Sequence, residues 1–510
     1  MIRMFVVAGF LAASVFAQDG QGKVRIDLKV DELVLDNGMR VLTVVNPGAP
    51  RVFCALYWRV GSVNERPGIT GLSHFFEHMM FKGTETIGTK NPKRDAEINS
   101  EIERLMTEQR GYKLRRLEAE RRGVSLPPVE LGAMERIQKR YDELVKEQKE
   151  ITISEHLWKT LMANGGTGLN ASTSTDRTEY HVELPSNKVE LFFWLESDRF
   201  MRPVFREFYP EREVVKEERR LRTDSTPTGL IGEAFNAMFW ESHPYRWPVV
   251  GWMSDIDQYR LSDAEAYFQE HYSPQNCTAI FVGDVKPERI RQLAQSYFGR
   301  MKRFSKDPDP IITVEVDQPA EKRMIAEAET QPSLQIRWHA PSGVHADATA
   351  LDLLCQVLDG RTGRLYKRLV TEKKIALNAG AGFGGRRYGG SISINASPRL
   401  RPGDDAGQKF AELEAEIDDV IEAVQTEGVT RAELDKVKNQ ATADLVRGLE
   451  SNGGIAGQLG YYEVIGTYKD FFAGLHGLEA ATTDQLKELA NRYFSKNGKN
   501  ALIIRRREEK

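Results

Sequence analysis

The chain has 510 residues, 40% of them hydrophobic, and a formal net charge of −3. That length exceeds one ordinary core and predicts two or three domains, and the charge balance excludes a general bias toward nucleic acid or anionic membrane. Three widely spaced cysteines, Cys54, Cys277 and Cys355, lie in apolar stretches, which argues against a disulfide framework and for small core residues.

Residues 1–17 have the layout of a secretory signal peptide, with Arg3 near the start, an apolar run over residues 4–17 and small residues before Gln18. Cleavage after Ala17 and export to the periplasm or beyond are expected; a buried N-terminal helix is the competing reading. The run is too short to favour a membrane span and no later segment reaches the length of one, so no transmembrane segment is expected in the mature chain. No cysteine follows the cleavage site, so a lipid anchor is not indicated.

Residues 71–84 read GLSHFFEHMMFKGT. At helical spacing Leu72, Phe75, Phe76, Met79 and Met80 form one apolar stripe, and His74, Glu77 and His78 cluster opposite. A solvated polar face is the alternative, but Phe81 completes this face where Lys or Arg is usual, so a dry trio is expected. Two imidazoles at i and i+4 can reach one ion, and the carboxylate before the second can orient a water on it. The pattern is HxxEH, the reverse of HExxH.

Residues 94–149 are dense in Glu, Lys and Arg, with Ile98, Ile102 and Leu105, then Ile137, Tyr141 and Leu144, at helical spacing and a break at GVSLPPVELG. This reads as a protruding helical hairpin inserted into the first domain, either a solvated spacer or a lid or docking surface. Further on stands EREVVKEERRLRTD, residues 211–224, where Val214, Val215 and Leu221 define a buried side that also carries Glu211 and Glu218. A carboxylate there needs a cation or a hydrogen-bond partner. Two histidines need a third donor to complete a catalytic zinc shell, which gives this helix a purpose; a charge-rich surface helix is the alternative.

HYSPQNCTAIFV at 271–282 repeats as YFSKNGKNALII at 493–504, an offset of 222, and LYWRVGS around Trp58 repeats as IRWHAPS around Trp338, an offset of 280. The first half therefore carries about 58 extra residues, which the hairpin accounts for. At the offset of 280, His74, Glu77 and His78 fall on Leu354, Val357 and Leu358, so the second copy has lost the polar trio. The expected layout is a domain over 25–302 with the insertion at 94–149, a Pro- and Asp-rich linker over 303–322, and a homologous non-catalytic domain over 323–510.

Three stretches in order, GLSHFFEHMMFKGTETIGT, GLNASTSTDRTEYHVELP and FYPEREVVKEERRLRTD, resemble the insulinase (pitrilysin) family of zinc metallopeptidases, which includes the mitochondrial processing peptidases. YFQEHYSPQNCTAIFVGD is similar to the end of that family's first domain, and the likeness continues more weakly through GRTGRLYKRLVTEKKIALNAGAGF. The resemblance implies one zinc per chain held by His74, His78 and Glu218, with Glu77 as general base and Glu211 as a supporting acid. Glu218 follows His78 by 140 residues, or 82 without the extra 58, close to the family spacing. Asn170, Ala171 and Ser172 would lie on an edge strand to which a substrate peptide adds.

The implied fold is α+β, two homologous α/β domains of mixed sheet and flanking helices that form half of a clamshell, and the implied activity is hydrolysis of peptides or unfolded polypeptides in a closed chamber. Two of four domains in one chain imply a dimer. The family's second half commonly offers an arginine and, seven residues on, a tyrosine to hold substrate, but here Val370 and Leu377 occupy those positions, with Arg368 and Arg387 as nearby substitutes. A heterodimer with a zinc-less paralogue is therefore expected, with a homodimer as the alternative. A non-catalytic structural or binding subunit is the competing function.

Overall fold

The computed structural model describes residues 16–18, 24–26 and 28–507. The leader expected over residues 1–17 lies outside these except for Phe16 and Ala17, which open a short strand, β1 (Phe16–Gln18), paired antiparallel with β2 (Val24–Ile26). The described residues divide into two units: one comprises Val30–Arg220 and Pro248–Ile311, the other Leu221–Trp247 and residues 312–507 together with the described residues before 30. Among the described residues no helix is long and apolar enough to cross a membrane.

The first unit is built on six strands, β3 (Asp31–Val34), β4 (Arg40–Val45), β5 (Arg51–Trp58), β6 (Thr167–Thr173), β7 (Thr178–Pro185) and β8 (Cys277–Gly283). Their spatial order is β3-β4-β8-β5-β7-β6, with β4 and β8 parallel and the other neighbours antiparallel. Alternation puts Val52, Cys54, Leu56 and Trp58 of β5 and Tyr180, Val182 and Leu184 of β7 into one core. Helix α1 (Leu72–Met79) docks its stripe on that core: Leu72, Phe75 and Phe76 are fully buried, and Phe75 meets Phe208 edge to face at 4.9 Å.

Helices α2 (Pro92–Arg121) and α3 (Pro128–Ile151) form the expected hairpin. Asn91 caps α2 by accepting the Arg94 N–H, and prolines open both helices. Its foot packs into the core of the unit. Ile98, Ile102, Leu105, Ile137 and Leu144 belong to the core of the unit, and Asp95 is buried against Arg206 at 2.7 Å. The tip instead exposes Leu114, Leu117, Val124, Val129 and Leu131. After the hairpin come α4 (His156–Ala163), α5 (Val189–Met201) and α6 (Phe208–Arg219).

The second unit carries β9 (Lys322–Ala328), β10 (Ser333–Ala340), β11 (Ala376–Gly385), β12 (Gly390–Pro398) and β13 (Asn500–Arg506) in the order β11-β12-β10-β13-β9, with β13 and β9 parallel. This repeats the order β6-β7-β5-β8-β4 of the first sheet. The register repeats as well: Tyr57 pairs with Thr278 and Arg337 with Asn500, at the offsets of 280 and 222 read from sequence. Leu354, Val357 and Leu358, which replace the polar trio, are buried core residues on the helix Ala348–Leu358.

One segment sits differently from the sequence expectation. Residues 221–247, assigned to the first domain, group with the second unit, where α7 (Gly229–Phe239) buries Phe235 against Ala328, Leu502 and Ile504. The linker before β9 is irregular, and its Glu315 accepts the N–H groups of Glu241, Ser242 and His243. Cys54, Cys277 and Cys355 are free and buried.

Candidate metal centre

Two buried carboxylates set the start of α1. Glu65 accepts the N–H groups of Gly71 at 2.6 Å and Ser73 at 2.7 Å, and Asp255 accepts those of Gly68 and Thr70 together with the Thr70 hydroxyl. These bonds satisfy donors that a helix start leaves open. Burial nevertheless pushes the Glu65 carboxyl up to about 8, with the bonds from Ser73 and Gly71 offsetting part of the effect. Gly71 has φ 87°, and a Cβ there would come within 2.3 Å of the Val250 carbonyl oxygen. The adjacent Gly251 carbonyl accepts a 2.6 Å bond from Arg219, so one short loop braces the start of α1 against the end of α6.

The buried side of α6 is formed by Phe208, Tyr209, Glu211, Arg212, Val215 and Arg219. Of the three residues expected to define it, Val215 does, whereas Val214 is 50% and Leu221 71% exposed. The helix is rotated from the valine-centred phase because its aromatic start, Phe208, seats against Phe75, and Leu221 lies beyond its end. Glu211 is buried and Glu218 half-buried, so both carboxylates still face inward.

His74, His78 and Glu218 converge, with one donor atom from each lying within 4.8 Å of the others. His74 Nε2 is 3.6 Å and His78 Nε2 is 3.3 Å from the two oxygens of Glu218. Donors bound to a tetrahedral zinc at ordinary bond lengths lie roughly 3.3–3.5 Å apart, so the donor types suit that ion and the two histidine-to-Glu218 separations are close to its spacing. The rings stand nearly perpendicular, 73° apart, with centroids at 4.9 Å.

Behind the donors runs a chain of charge. His78 Nδ1 is 2.9 Å from Glu211 Oε1, which leaves Nε2 to face Glu218, and Lys82 Nζ is 2.6 Å from Glu211 Oε2 and 3.3 Å from Glu207. Burial works against a charge on His78, but its bonds to Glu211 and Glu218 carry it up to about 9. Burial also opposes ionisation of Glu211, yet the His78 bond and the Lys82 charge hold it below the usual carboxylate range.

Glu77 projects between the two histidines in sequence and accepts a 2.7 Å bond from the Thr173 hydroxyl. Burial raises its pKa, and the Thr173 bond opposes that rise. Asn170, Ala171 and Ser172 lie on β6, the edge strand of the sheet, paired on one side only, with His181, Tyr180 and Glu179. A cavity of about 480 Å³ opens beside Glu77 and His78, walled by Phe81, Lys82, Trp158, Asn170 and Ala171. Ser172 is not part of that wall.

Three contributors went unread in the sequence. Lys82 follows His78 at helical spacing and was legible; Thr173 and Glu65 come from other elements and act across space, which no periodicity reveals.

Two family models match the chain: Insulinase (Peptidase family M16) over residues 40–105, and Peptidase M16 inactive domain over residues 260–441. The chain is 25% identical over 490 residues to the zinc protease PqqE of Helicobacter pylori, covering 94% of this chain and 93% of that protein. The crystal structure of a protease from Helicobacter pylori superposes with a TM-score of 0.74 at 23% identity, covering 94% of this chain and all of the other. The periplasmic protease PqqL from Escherichia coli superposes with a TM-score of 0.69 at 17% identity, and there 94% of this chain covers only 48% of the other. Two models of one family match in order, relatives named zinc proteases align along almost the whole length, and the fold is shared with a solved protease, so the chain is similar to the insulinase family of zinc metallopeptidases.

Proposed function

We propose that this chain is a zinc-dependent endopeptidase that binds one zinc through His74, His78 and Glu218 and uses Glu77 as its general base. The convergence of those three donors, with Glu77 beside them, is the observation that carries the reading. Bound zinc supplies Lewis acidity, acidifying water and polarising the scissile carbonyl. Glu77 takes a proton from the attacking water and passes it to the leaving amine, so no free amide anion forms. Glu211 fixes the tautomer and ring orientation of His78, and Lys82 keeps Glu211 ionised. The unpaired side of β6 around Asn170, Ala171 and Ser172 accepts the substrate as an added strand, so extended, unfolded segments are the class of substrate.

The chain matches about half of PqqL, which supports a working dimer enclosing the substrate, with a zinc-less paralogue as partner and a second copy as the alternative. Export is supported by the layout of residues 1–17. N-terminal sequencing of the mature protein should begin at Gln18.

The description of one family model as an inactive domain favours a second reading, a non-catalytic binding subunit. That match begins at residue 260, after every donor named above. Metal analysis with a quenched-peptide assay separates the readings: the peptidase gives one zinc per chain and turnover abolished by Glu77→Gln, whereas the binding subunit gives no turnover even when loaded with zinc.

A further inference from the structure

The hydrogen bond between Thr173 and Glu77 joins two parts of the site that are remote in sequence. Thr173 is the last residue of β6, on the same face of the strand as the core residues Leu169 and Ala171, and its hydroxyl donates to Glu77 Oε2 at 2.7 Å. The strand is held on its other side by β7, where Thr173 pairs with Thr178, whose own hydroxyl bonds the Val60 carbonyl oxygen and which is fully buried. A threonine anchored in this way has little freedom to move.

We propose that Thr173 is the positioning residue of Glu77: its hydroxyl fixes the carboxylate in one rotamer, so that the strand offered to the substrate also sets where the base stands. The proposal rests on the reading of Glu77 as the base. Three observations support it. Glu77 sits on a helix surface with three side-chain torsions free to wander. Among the described residues no other hydrogen bond reaches its carboxylate. The Thr173 bond engages Oε2 alone, and Glu77 also lines the cavity beside His78. Because Asn170 to Thr173 are consecutive residues of one strand, a peptide paired to it is placed at a fixed offset from the atom that holds the base. Slippage of the peptide by one residue would turn its side chains to the opposite face and move the scissile bond away from the base.

The test compares Thr173→Val, which keeps the β-branched shape and removes the donor, with Thr173→Ser, which keeps the donor. With zinc-loaded protein, Thr173→Val should lower kcat about 10- to 100-fold, a part of the roughly 10²- to 10⁴-fold that a positioned acid–base group contributes. KM should stay within about twofold, since the strand edge is intact, and Thr173→Ser should recover most of the rate. Crystal structures supply a readout independent of activity: the Glu77 carboxylate should occupy one rotamer in the wild type and Thr173→Ser, and a different or divided one in Thr173→Val. Zinc content should be equal in all three. An unchanged Glu77 rotamer in Thr173→Val overturns the proposal, as does a Thr173→Ser variant as slow as Thr173→Val, or a loss of zinc that tracks the loss of rate. If the wild-type protein cleaves nothing, the peptidase reading fails, while the rotamer comparison still decides the role of Thr173.

Discussion

His78 Nδ1 stands 2.9 Å from Glu211 Oε1, and this contact points the other ring nitrogen at Glu218. On the proposed donor set, Glu211 would influence metal affinity without itself being a donor. Glu211→Gln should weaken zinc binding about 10- to 100-fold, the usual cost of losing a partner behind a metal-binding histidine. Competition with a chromogenic chelator measures this. An affinity equal to that of the wild type would detach Glu211 from the centre. Lys82→Met should act in the same direction and less strongly, because it leaves the His78 contact in place.

His74→Ala and Glu77→Gln should part company. The first removes a donor from a set of three, so zinc content after dialysis should fall well below one per chain and activity with it. The second removes a base and no donor, so the protein should keep its zinc and lose turnover. Stoichiometric zinc in His74→Ala, measured by mass spectrometry, would reject the donor set.

The helix carrying His74, Glu77 and His78 was legible because its two constraints, an apolar stripe and a polar trio, are both local and share the 3.6-residue period of one element. The repeat was legible down to register, since strand pairing preserves sequence offsets: Tyr57 with Thr278 and Arg337 with Asn500 are the proof. The phase of α6 was half right. Val215 and Glu211 face inward, but Val214 and Leu221 do not, because an aromatic contact between Phe208 and Phe75 sets the rotation and the valines do not. What stayed hidden depends on contacts between elements: the Thr173 to Glu77 bond, the Glu65 cap, and the departure of residues 221–247 to the second unit. Glu65, eight residues before Ser73, carries no periodic signal, and its role exists only once the loop between them is folded.

The hairpin gives a prediction opposite to that of a simple insertion. Removing residues 94–149 would strip Ile98, Ile102, Leu105, Ile137 and Leu144 from the core and leave Arg206 without Asp95, so the protein should not fold. Asp95→Ala alone should cost about 3 kcal/mol, the low end for breaking a buried pair, because Arg206 keeps bonds to the carbonyls of Lys82, Ile87 and Thr84. Replacing only the tip, residues 114–131, with a short Gly/Ser bridge should preserve the fold and the zinc. Urea titrations measure both. A stable, zinc-loaded protein lacking 94–149 would show that the foot is dispensable.

Glu65 makes stability depend on pH. Its carboxyl rises from 4.5 to about 8 in the folded protein, so between those values the native state holds a proton that the unfolded chain releases. The contribution is complete below pH 4.5 and is lost as pH rises through 8. Asp255 faces the same loop and adds to the rise, while Tyr259 and Tyr267, pushed well above their ordinary range by burial, stay uncharged throughout. Zinc-free wild type should therefore lose more stability from pH 5 to pH 8 than zinc-free Glu65→Gln. Parallel curves for the two proteins would show that Glu65 is ionised across the whole range.

The last prediction concerns the partner. Where the resemblance calls for an arginine and a tyrosine, Val370 is packed against the core of the second unit and Leu377 lies on the edge strand β11 with 46% exposure. Neither side chain donates a hydrogen bond, and such donors stabilise the charge that develops on a peptide carbonyl. The nearby arginines do not replace them freely. Arg368 is bound to Glu416 at 2.6 Å, and the Arg387 guanidinium lies 5.1 Å from the ring centre of Tyr388. The chain alone should then be a weak peptidase, and a paralogue carrying the Arg and Tyr pair, but no zinc donors, should raise its kcat at least tenfold on mixing. Size-exclusion chromatography of the mixture should show a 1:1 complex that neither chain forms by itself. Full turnover by the purified chain, with no gain from the paralogue, would assign the second half of the chamber to another copy of the same chain. In that case the catalytic donors have to be sought elsewhere in the second unit, with Arg368→Ala and Arg387→Ala as the first variants to assay.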